Sequence, residues 1–466
     1  MSEKPTKERA ERAERAERVE ALRRRRERLS DERKQALDTR LEGADANPTA
    51  RASEYRDALH VVAHWPPGQP LTYDWVQLIA AGRRQVDSLP DGADLDVYRR
   101  ERDAENRLAI ETVCTLLDGF GIFTSAGQRF DVDTVAARLG VVPSYRRLVG
   151  RWLNILRTHG LLVRDGQAFV CRERLLDVLS ASPLVGHAPA QGDIEQSCRE
   201  IVTVVTGRAH GLEAFSLPLR GAATGQGFFD TAVQAYEAHA FSRYFNAIIV
   251  ALVEALEPAR RPLRILEVGA GVGGTSSPVL AALQGTGAEY VFTDLSKGFL
   301  NFASERFRAY PFVSYACLDV DEIPTRIGFP ERCFDIIIGA NAVHCARILA
   351  DALPRLSALL VDRGLLILRE GNSNGPHLMI GGCGLLPGSS MYEDGRREED
   401  VGPLLPAAEW RQLCLTAGFG DVAILPPADG PMSALDESII VAAYASEPPG
   451  EPVPLGYTGV PSAPGA

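Results

Sequence analysis

From Leu263 onward the chain alternates short, nearly continuous apolar runs with amphipathic segments. LRILEVG (263–269), EYVFTD (289–294), FVSYACLD (312–319), FDIIIGAN (334–341) and GLLILREG (364–371) are rich in β-branched, leucine and aromatic residues, and each stops at a Gly, Asp or Asn. Between them the spacing predicts a helix opening at Gly274, one over 296–308 and one over 348–360. Strands that alternate with helices over short connections predict a parallel α/β sheet. PAAEWRQLCLTAGF (406–419) then reads as a further helix, and DVAILPP and SIIVAAYAS as two closing strands.

Upstream, the period changes from two to about 3.6. RLAIETVCTLLDGFGIF (107–123) is an apolar-periodic helix ended by glycines. VDTVAARLG is a short helix, SYRRLVGRWLNILRTHGLL a longer one, and LVRDGQAFVCR a hairpin turning at Asp-Gly. This helix-helix-helix-hairpin order is that of a winged helix. Trp152, Leu153 and Leu156 fall at core spacing, so the module reads as a lid more readily than as a DNA reader using Arg146, Arg147, Arg151 and Arg157. Residues 43 to about 100 yield no distinct element.

The chain divides on these patterns into a charged N-terminal helix of docking type (1–42), a helical lid with the winged-helix-like module (43–215), an α/β core (216–446) and a Pro- and Gly-rich, disordered tail (447–466). Residues 1–40 hold 14 Lys and Arg against 10 Asp and Glu, a local charge of +4 that leaves −15 for the remainder. Its apolar stripe is only Ala10, Ala13, Ala16, Val19 and Leu22, too thin to build a core alone, which fits a solvated helix or one that pairs with another chain.

With 466 residues, 45% hydrophobic, the chain can bury more than one domain's core, and a net charge of −11 opposes general affinity for nucleic acid or anionic membrane. Eight cysteines without a CxxC pair give no metal or disulfide framework and suit a reduced, cytoplasmic setting. No uncharged stretch has the composition of a membrane span.

The chemistry concentrates in Glu267-Val-Gly269-Ala-Gly271-Val-Gly273-Gly274-Thr275, which ends a strand and opens a helix. There, backbone N–H groups and the helix N-terminus face a ligand. Gly269, Gly271 and Gly274 also satisfy G-x-G-x-x-G, so an NAD-dependent dehydrogenase is an alternative. A carboxylate at Glu267 would repel a pyrophosphate but suits a ligand presenting an ammonium group, such as S-adenosylmethionine. Asp294, which ends the next strand, is placed for ribose hydroxyls, and Asp319 after the third strand for the adenine. Asn341 and Tyr244 complete the candidate cofactor residues. His344 follows one strand and Glu370 ends the next, so adjacent parallel strands deliver a base and its partner to one rim of the sheet.

RILEVGAGVGGTSSPVLAAL, YVFTDLS, FDIIIGANAVHCAR, RGLLILREG and PLLPAAEWRQLCLTAGF, with AYEAHAFSRYFN and RLVGRWLNILRTHGLL upstream, together resemble the methyltransferase domains of polyketide synthases and nonribosomal peptide synthetases. The resemblance spans roughly residues 105–446, and LSDERKQALDTRLEG resembles the linker helices at the heads of assembly-line modules. It implies a seven-stranded class I, Rossmann-like core under a helical lid, with S-adenosylmethionine as cofactor. The substrate it implies is an acyl chain carried as a thioester on a carrier protein, with His344 as base and Glu370 as its partner. It also implies carbon methylation at the α-position of a β-ketoacyl group. The stretch GLLPGSSMYEDGRREEDVGPLL, however, lacks the tryptophans usual in carbon-methylating relatives, which leaves O-methylation of a hydroxyl or enol open. A winged-helix regulator with an inert methyltransferase fold is the third class. The initial Met and the Pro-rich end favour a free-standing enzyme, with the N-terminal helix docking to a synthase chain.

Overall fold

A computed structural model describes residues 56–89, 94–182, 184, 189–208, 228–256, 261–395 and 402–445; the N-terminal docking helix and the C-terminal tail lie outside them. Among the described residues ten strands form two sheets: β1 (Arg129–Asp131), β2 (Val163–Asp165) and β3 (Ala168–Val170) in the lid, and β4 (Arg264–Val268), β5 (Glu289–Asp294), β6 (Val313–Cys317), β7 (Phe334–Ala340), β8 (Leu360–Gly371), β9 (Phe419–Leu425) and β10 (Glu437–Tyr444) in the core.

The seven core strands run in the order β6-β5-β4-β7-β8-β10-β9. β4 to β8 are parallel, and β10 is inserted antiparallel between β8 and β9. This is the class I Rossmann-like architecture. It differs from the dinucleotide-binding order, in which six parallel strands run 3-2-1-4-5-6. Strands covered on both faces must be apolar throughout. Ile265, Leu266 and Val268 of β4 and Ile336, Ile337 and Ile338 of β7 are fully buried. Asp335 is the polar exception near the start of β7. Its buried carboxylate accepts the Arg264 backbone N–H at 2.9 Å and pairs with Arg261, closing the bottom of the sheet.

The lid module has the anticipated order. Helix Leu95–Gly119 is N-capped by Asp94, which accepts from the N–H groups of Asp96 and Val97 at 2.8 and 3.1 Å. Helices Val132–Leu139 and Arg146–Thr158 follow, with β1, β3 and β2 forming the wing, and the hairpin turns at Gly166 with φ +63°.

Two departures from the sequence reading of the lid have packing causes. Residues 58–86, assigned to the lid, sit against the α/β core: Ala58 and Val62 pack with Leu266, Val291 and Phe334, and Gly82 of helix Trp75–Val86 leaves room for Leu252 and Leu425. Conversely, Met379, Ile380, Leu385 and Leu404, from the connection after β8, lie in the lid's own hydrophobic cluster with Trp152, Leu153 and Leu156. Helix Arg146–Thr158 is therefore covered on both sides. Arg151 is 3% exposed, donating to the Ser389 carbonyl at 2.9 Å and the Tyr392 hydroxyl at 2.7 Å, and Arg147 lies over the same tyrosine ring. Two of the four arginines that a DNA reader would use are thus engaged inside the protein.

The Trp152 indole is fully buried and donates to the Met379 carbonyl at 3.4 Å. Trp152→Ala is expected to destabilise the lid by about 3–5 kcal/mol in urea unfolding followed by circular dichroism. A loss below about 1 kcal/mol would contradict a lid core shared with residues 379–404.

Candidate active site

The strand order reverses between β4 and β7, and the cleft at their carboxyl ends is where ligands of open α/β sheets bind. Gly269, Gly271 and Gly273 all have left-handed φ, +62°, +57° and +76°. A Cβ on Gly269 would overlap Ala342, and one on Gly273 would overlap the Phe307 ring. A Cβ on Gly271 would meet nothing within 4 Å. Two glycines thus fold the turn tightly against the protein, while the third opens onto free space. Gly273 N–H closes the turn onto the Ala270 carbonyl at 2.8 Å, and helix Ser276–Leu283 follows.

Asp294, at the end of β5, reaches across to this turn. One carboxylate oxygen accepts the Gly271 N–H at 2.9 Å and the other the Ser296 N–H at 2.7 Å. Burial still raises its pKa above the usual carboxylate range, against the pull of those N–H groups. Leu295, next in the chain, is 64% exposed. An apolar side chain left open beside a strand-end carboxylate suits a flat, partly apolar ligand group. Sequence reading passed over it, although an apolar residue directly after Asp294, where a polar loop is expected, was the available signal. Asp319 is half-buried and accepts the Asp321 N–H at 2.9 Å, capping the turn after β6.

The side chains of three of the sequence-assigned cofactor residues are held by protein partners. Glu267 is 1% exposed, and one carboxylate oxygen accepts from Tyr290 OH at 2.7 Å and from the Ser276 hydroxyl. Burial pushes its pKa to about 7, only partly offset by those two donors. It ties β4 to β5 and to the start of the following helix, with almost no surface left for direct contact with an ammonium group. Tyr244 is fully buried and donates to the Val86 carbonyl at 3.2 Å, because helix Ala240–Glu254 turns that face onto helix Trp75–Val86. Asn341, with φ +51°, donates its N–H to the Arg369 carbonyl at 2.6 Å and accepts the Gly371 N–H on its side-chain oxygen at 3.0 Å. It clamps the ends of β7 and β8 together around residue 370.

That clamp sets the His344–Glu370 pair. His344 Nδ1 lies 2.6 Å from Glu370 Oε2, with His344 6% and Glu370 0% exposed. Glu370 Oε1 accepts the backbone N–H groups of Val343 at 2.9 Å and His344 at 3.4 Å. A carboxylate oxygen accepting from Nδ1 places the proton of the neutral ring on Nδ1. Burial alone would lower the imidazolium pKa. The Cys345 sulfur and the Glu370 carboxylate outweigh it and hold His344 well above its ordinary value.

Sequence reading also missed a buried polar cluster on the other side of the turn, formed by Ser242, Asn246, Thr275 and Arg369. Asn246 Oδ1 accepts from Thr275 Oγ1 at 2.9 Å and from Arg369 at 3.2 Å. A polar residue on the apolar face of helix Ala240–Glu254 was the only sequence signal for it.

Residues 266–366 match the family model of a methyltransferase domain. Polyketide synthase ThaG of Burkholderia thailandensis is 30% identical over 369 residues, covering 74% of this chain and 6% of that protein. The highly reducing polyketide synthase ACRTS2 of Alternaria alternata is 32% identical over 198 residues, covering 41% of this chain and 8% of that one. The chain thus spans less than a tenth of the length of these relatives. Among solved structures, the CurJ carbon methyltransferase is 27% identical with a TM-score of 0.65, covering 80% of this chain and 98% of that one. For the DszA carbon methyltransferase the values are 26%, 0.66, 82% and 98%.

The position of the imidazole proton is directly measurable. By NMR, the His344 ring should titrate above 6.5, and Glu370→Gln should move its midpoint downward, because the neutral amide no longer favours the imidazolium. An unchanged midpoint in that variant would show that Glu370 does not set the charge of the ring.

Proposed function

We propose that this chain, which carries a class I methyltransferase domain of the polyketide-synthase type, uses S-adenosylmethionine to methylate the α-carbon of a β-ketoacyl thioester held on a carrier protein. The buried His344–Glu370 pair, set on the same rim of the sheet as the open glycine turn, is the observation that carries the proposal.

The residues fit such a cofactor on structural grounds. Gly271 leaves room where any side chain would intrude, and Asp294 and Asp319 stand at the ends of successive strands on one side of the cleft. Leu295 offers an open apolar surface beside Asp294. When bound, the cofactor supplies an electrophilic methyl group on a sulfonium. The antiparallel β10 speaks against the dehydrogenase alternative.

What remains for the protein is to generate the nucleophile. Nε2 of His344 takes the α-proton of the substrate, leaving the electron pair on the enolate formed between the ketone and the thioester. Glu370 keeps the proton of the neutral ring on Nδ1 and stabilises the imidazolium that results. A proton flanked by two carbonyls is acidic enough for an imidazole, whereas an unactivated C–H is not. Because His344 is held above its ordinary pKa, the neutral base becomes populated only toward alkaline pH, and the rate should rise with pH through that value.

Three experiments test the proposal. Calorimetry should detect S-adenosylhomocysteine binding to the wild-type chain and its loss in Gly271→Ala, whose methyl group would enter the open space. Tight binding of NAD with no response to S-adenosylhomocysteine would instead support a dehydrogenase. His344→Ala should lower turnover by about 100-fold or more while leaving cofactor affinity nearly unchanged. With an α-dideuterated β-ketoacyl substrate, mass spectrometry should find one deuterium replaced by methyl. A product whose new methyl is on oxygen and fragments as methoxy would reassign the nucleophile to oxygen, the outcome that the tryptophan-free stretch 384–405 leaves open.

A further inference from the structure

Before the helix Ala240–Glu254, the chain makes one π-helical turn, Gln234–Ala238, in which the His239 N–H reaches back five residues to the Gln234 carbonyl at 2.9 Å. Such turns are rare, are less favourable than α-helix and frequently mark functional sites. Widening the helix displaces carbonyls from the ordinary ladder, and here side chains collect them. Ser242 Oγ donates to the Ala235 carbonyl at 2.6 Å, and Asn246 Nδ2 to the Tyr236 carbonyl at 3.2 Å.

The same Asn246 amide also donates to the Gly274 carbonyl at 3.0 Å, while its oxygen accepts from Thr275 and Arg369. Both donors and both acceptor positions of the amide are therefore engaged, on a residue only 2% exposed. A buried amide satisfied four times over has one orientation, and the groups it joins are held to that geometry. They are the π-turn, the end of the glycine turn and, through Arg369, the residue beside Glu370. Arg369 in turn donates to Ser242 and pairs with Glu437 at 2.5 Å.

A second link joins the π-turn to the glycine turn from the far side. Arg306 pairs with Glu237 and donates to the Val272 carbonyl at 2.7 Å. Contact is already close there, since a Cβ on Gly274 would meet the Tyr236 backbone oxygen at 2.8 Å.

We propose that the π-helical segment Gln234–Ala238 is a wall of the methyl-donor site, and that Asn246 and Arg306 are its positioning residues, locking it to the glycine turn. The proposal rests on the donor reading given above, in which Gly269 to Gly274 hold the cofactor. The hydrogen bonds of Asn246 and Arg306 lead from the wall to the glycine turn, while Glu370 takes its donors from Val343 and His344, so the wall governs donor affinity and not the base chemistry.

Asn246→Ala and Arg306→Ala separate this role from simple stability, with Asn154→Ala as the control for loss of a buried asparagine in the lid. In the unliganded chain, hydrogen exchange of amides 234–238 should accelerate about tenfold in both test variants and stay at the wild-type rate in the control. The dissociation constant for S-adenosylhomocysteine should rise about tenfold for Asn246→Ala and about threefold for Arg306→Ala. At saturating donor, the pH profile of turnover should stay in place. Wild-type exchange at 234–238 in Asn246→Ala, or unchanged S-adenosylhomocysteine affinity, would overturn the proposal, as would a displaced pH profile. Should Asn246→Ala fail to fold, Thr275→Val removes one bond to the same amide and should show the same changes at smaller size, with no change counting against the proposal. If the wild-type chain does not bind S-adenosylhomocysteine at all, the donor reading falls, and the exchange comparison still decides whether these residues hold the π-turn.

Discussion

A carboxylate with no solvent contact must find its donors inside the protein, and Glu370 finds all of its donors in two consecutive residues. Two backbone N–H groups and one imidazole N–H from Val343 and His344 converge on it. They can do so only because the chain leaving β7 folds back over the end of β8, and the left-handed Asn341 performs that reversal. An unpaired charge at this depth would cost several kcal/mol. The β7–β8 register, the short 3₁₀ turn Val343–Cys345 and the orientation of the imidazole are thus aspects of one solvation requirement.

Most of the α/β core was legible because parallel strands buried on both faces have little freedom in composition. The runs ending at Gly269, Asp294, Asn341 and Gly371 coincide with β4, β5, β7 and β8 within a few residues. The winged-helix module was legible for a different reason, since its helices are amphipathic and its turns are marked by glycine. What the chain does not display locally is which core a segment joins. Leu385 and Leu404 are apolar residues in a Gly- and Pro-rich connection, and nothing near them in sequence signals that their partners are Trp152 and Leu156. The same holds for helix Trp75–Val86, whose glycine at 82 acquires meaning only beside Leu252 and Leu425.

Within the site, spacing identified the groups that end strands, and the structure distinguishes those that face the cleft from those that support it. The His344–Glu370 contact and the cleft-side position of Asp294 follow from topology alone. Glu267, Asn341 and Tyr244 occupy the expected elements, yet their side chains are engaged with protein partners. Distinguishing these cases needs three-dimensional burial, since a carboxylate beneath a glycine turn and one in front of it have the same sequence pattern. Asn246 and Arg369 were illegible for a related reason: a buried polar network has no period, and each member looks like an isolated exception on an apolar face.

The placement of Met379, Ile380, Leu385 and Leu404 in the lid's hydrophobic cluster also bears on how the chain matures as it is made. A helix such as Arg146–Thr158, whose residues Leu148 to Leu156 are all buried in the finished protein, leaves the ribosome well before the segment that covers one of its sides. At ordinary translation speeds that interval is roughly ten seconds or more, far longer than a helix needs to form. During it, Trp152 and its neighbours have an apolar face without a native partner, so the nascent lid is a natural client for chaperones. Completion of the lid is thereby coupled to completion of strand β8, which the covering segment directly follows.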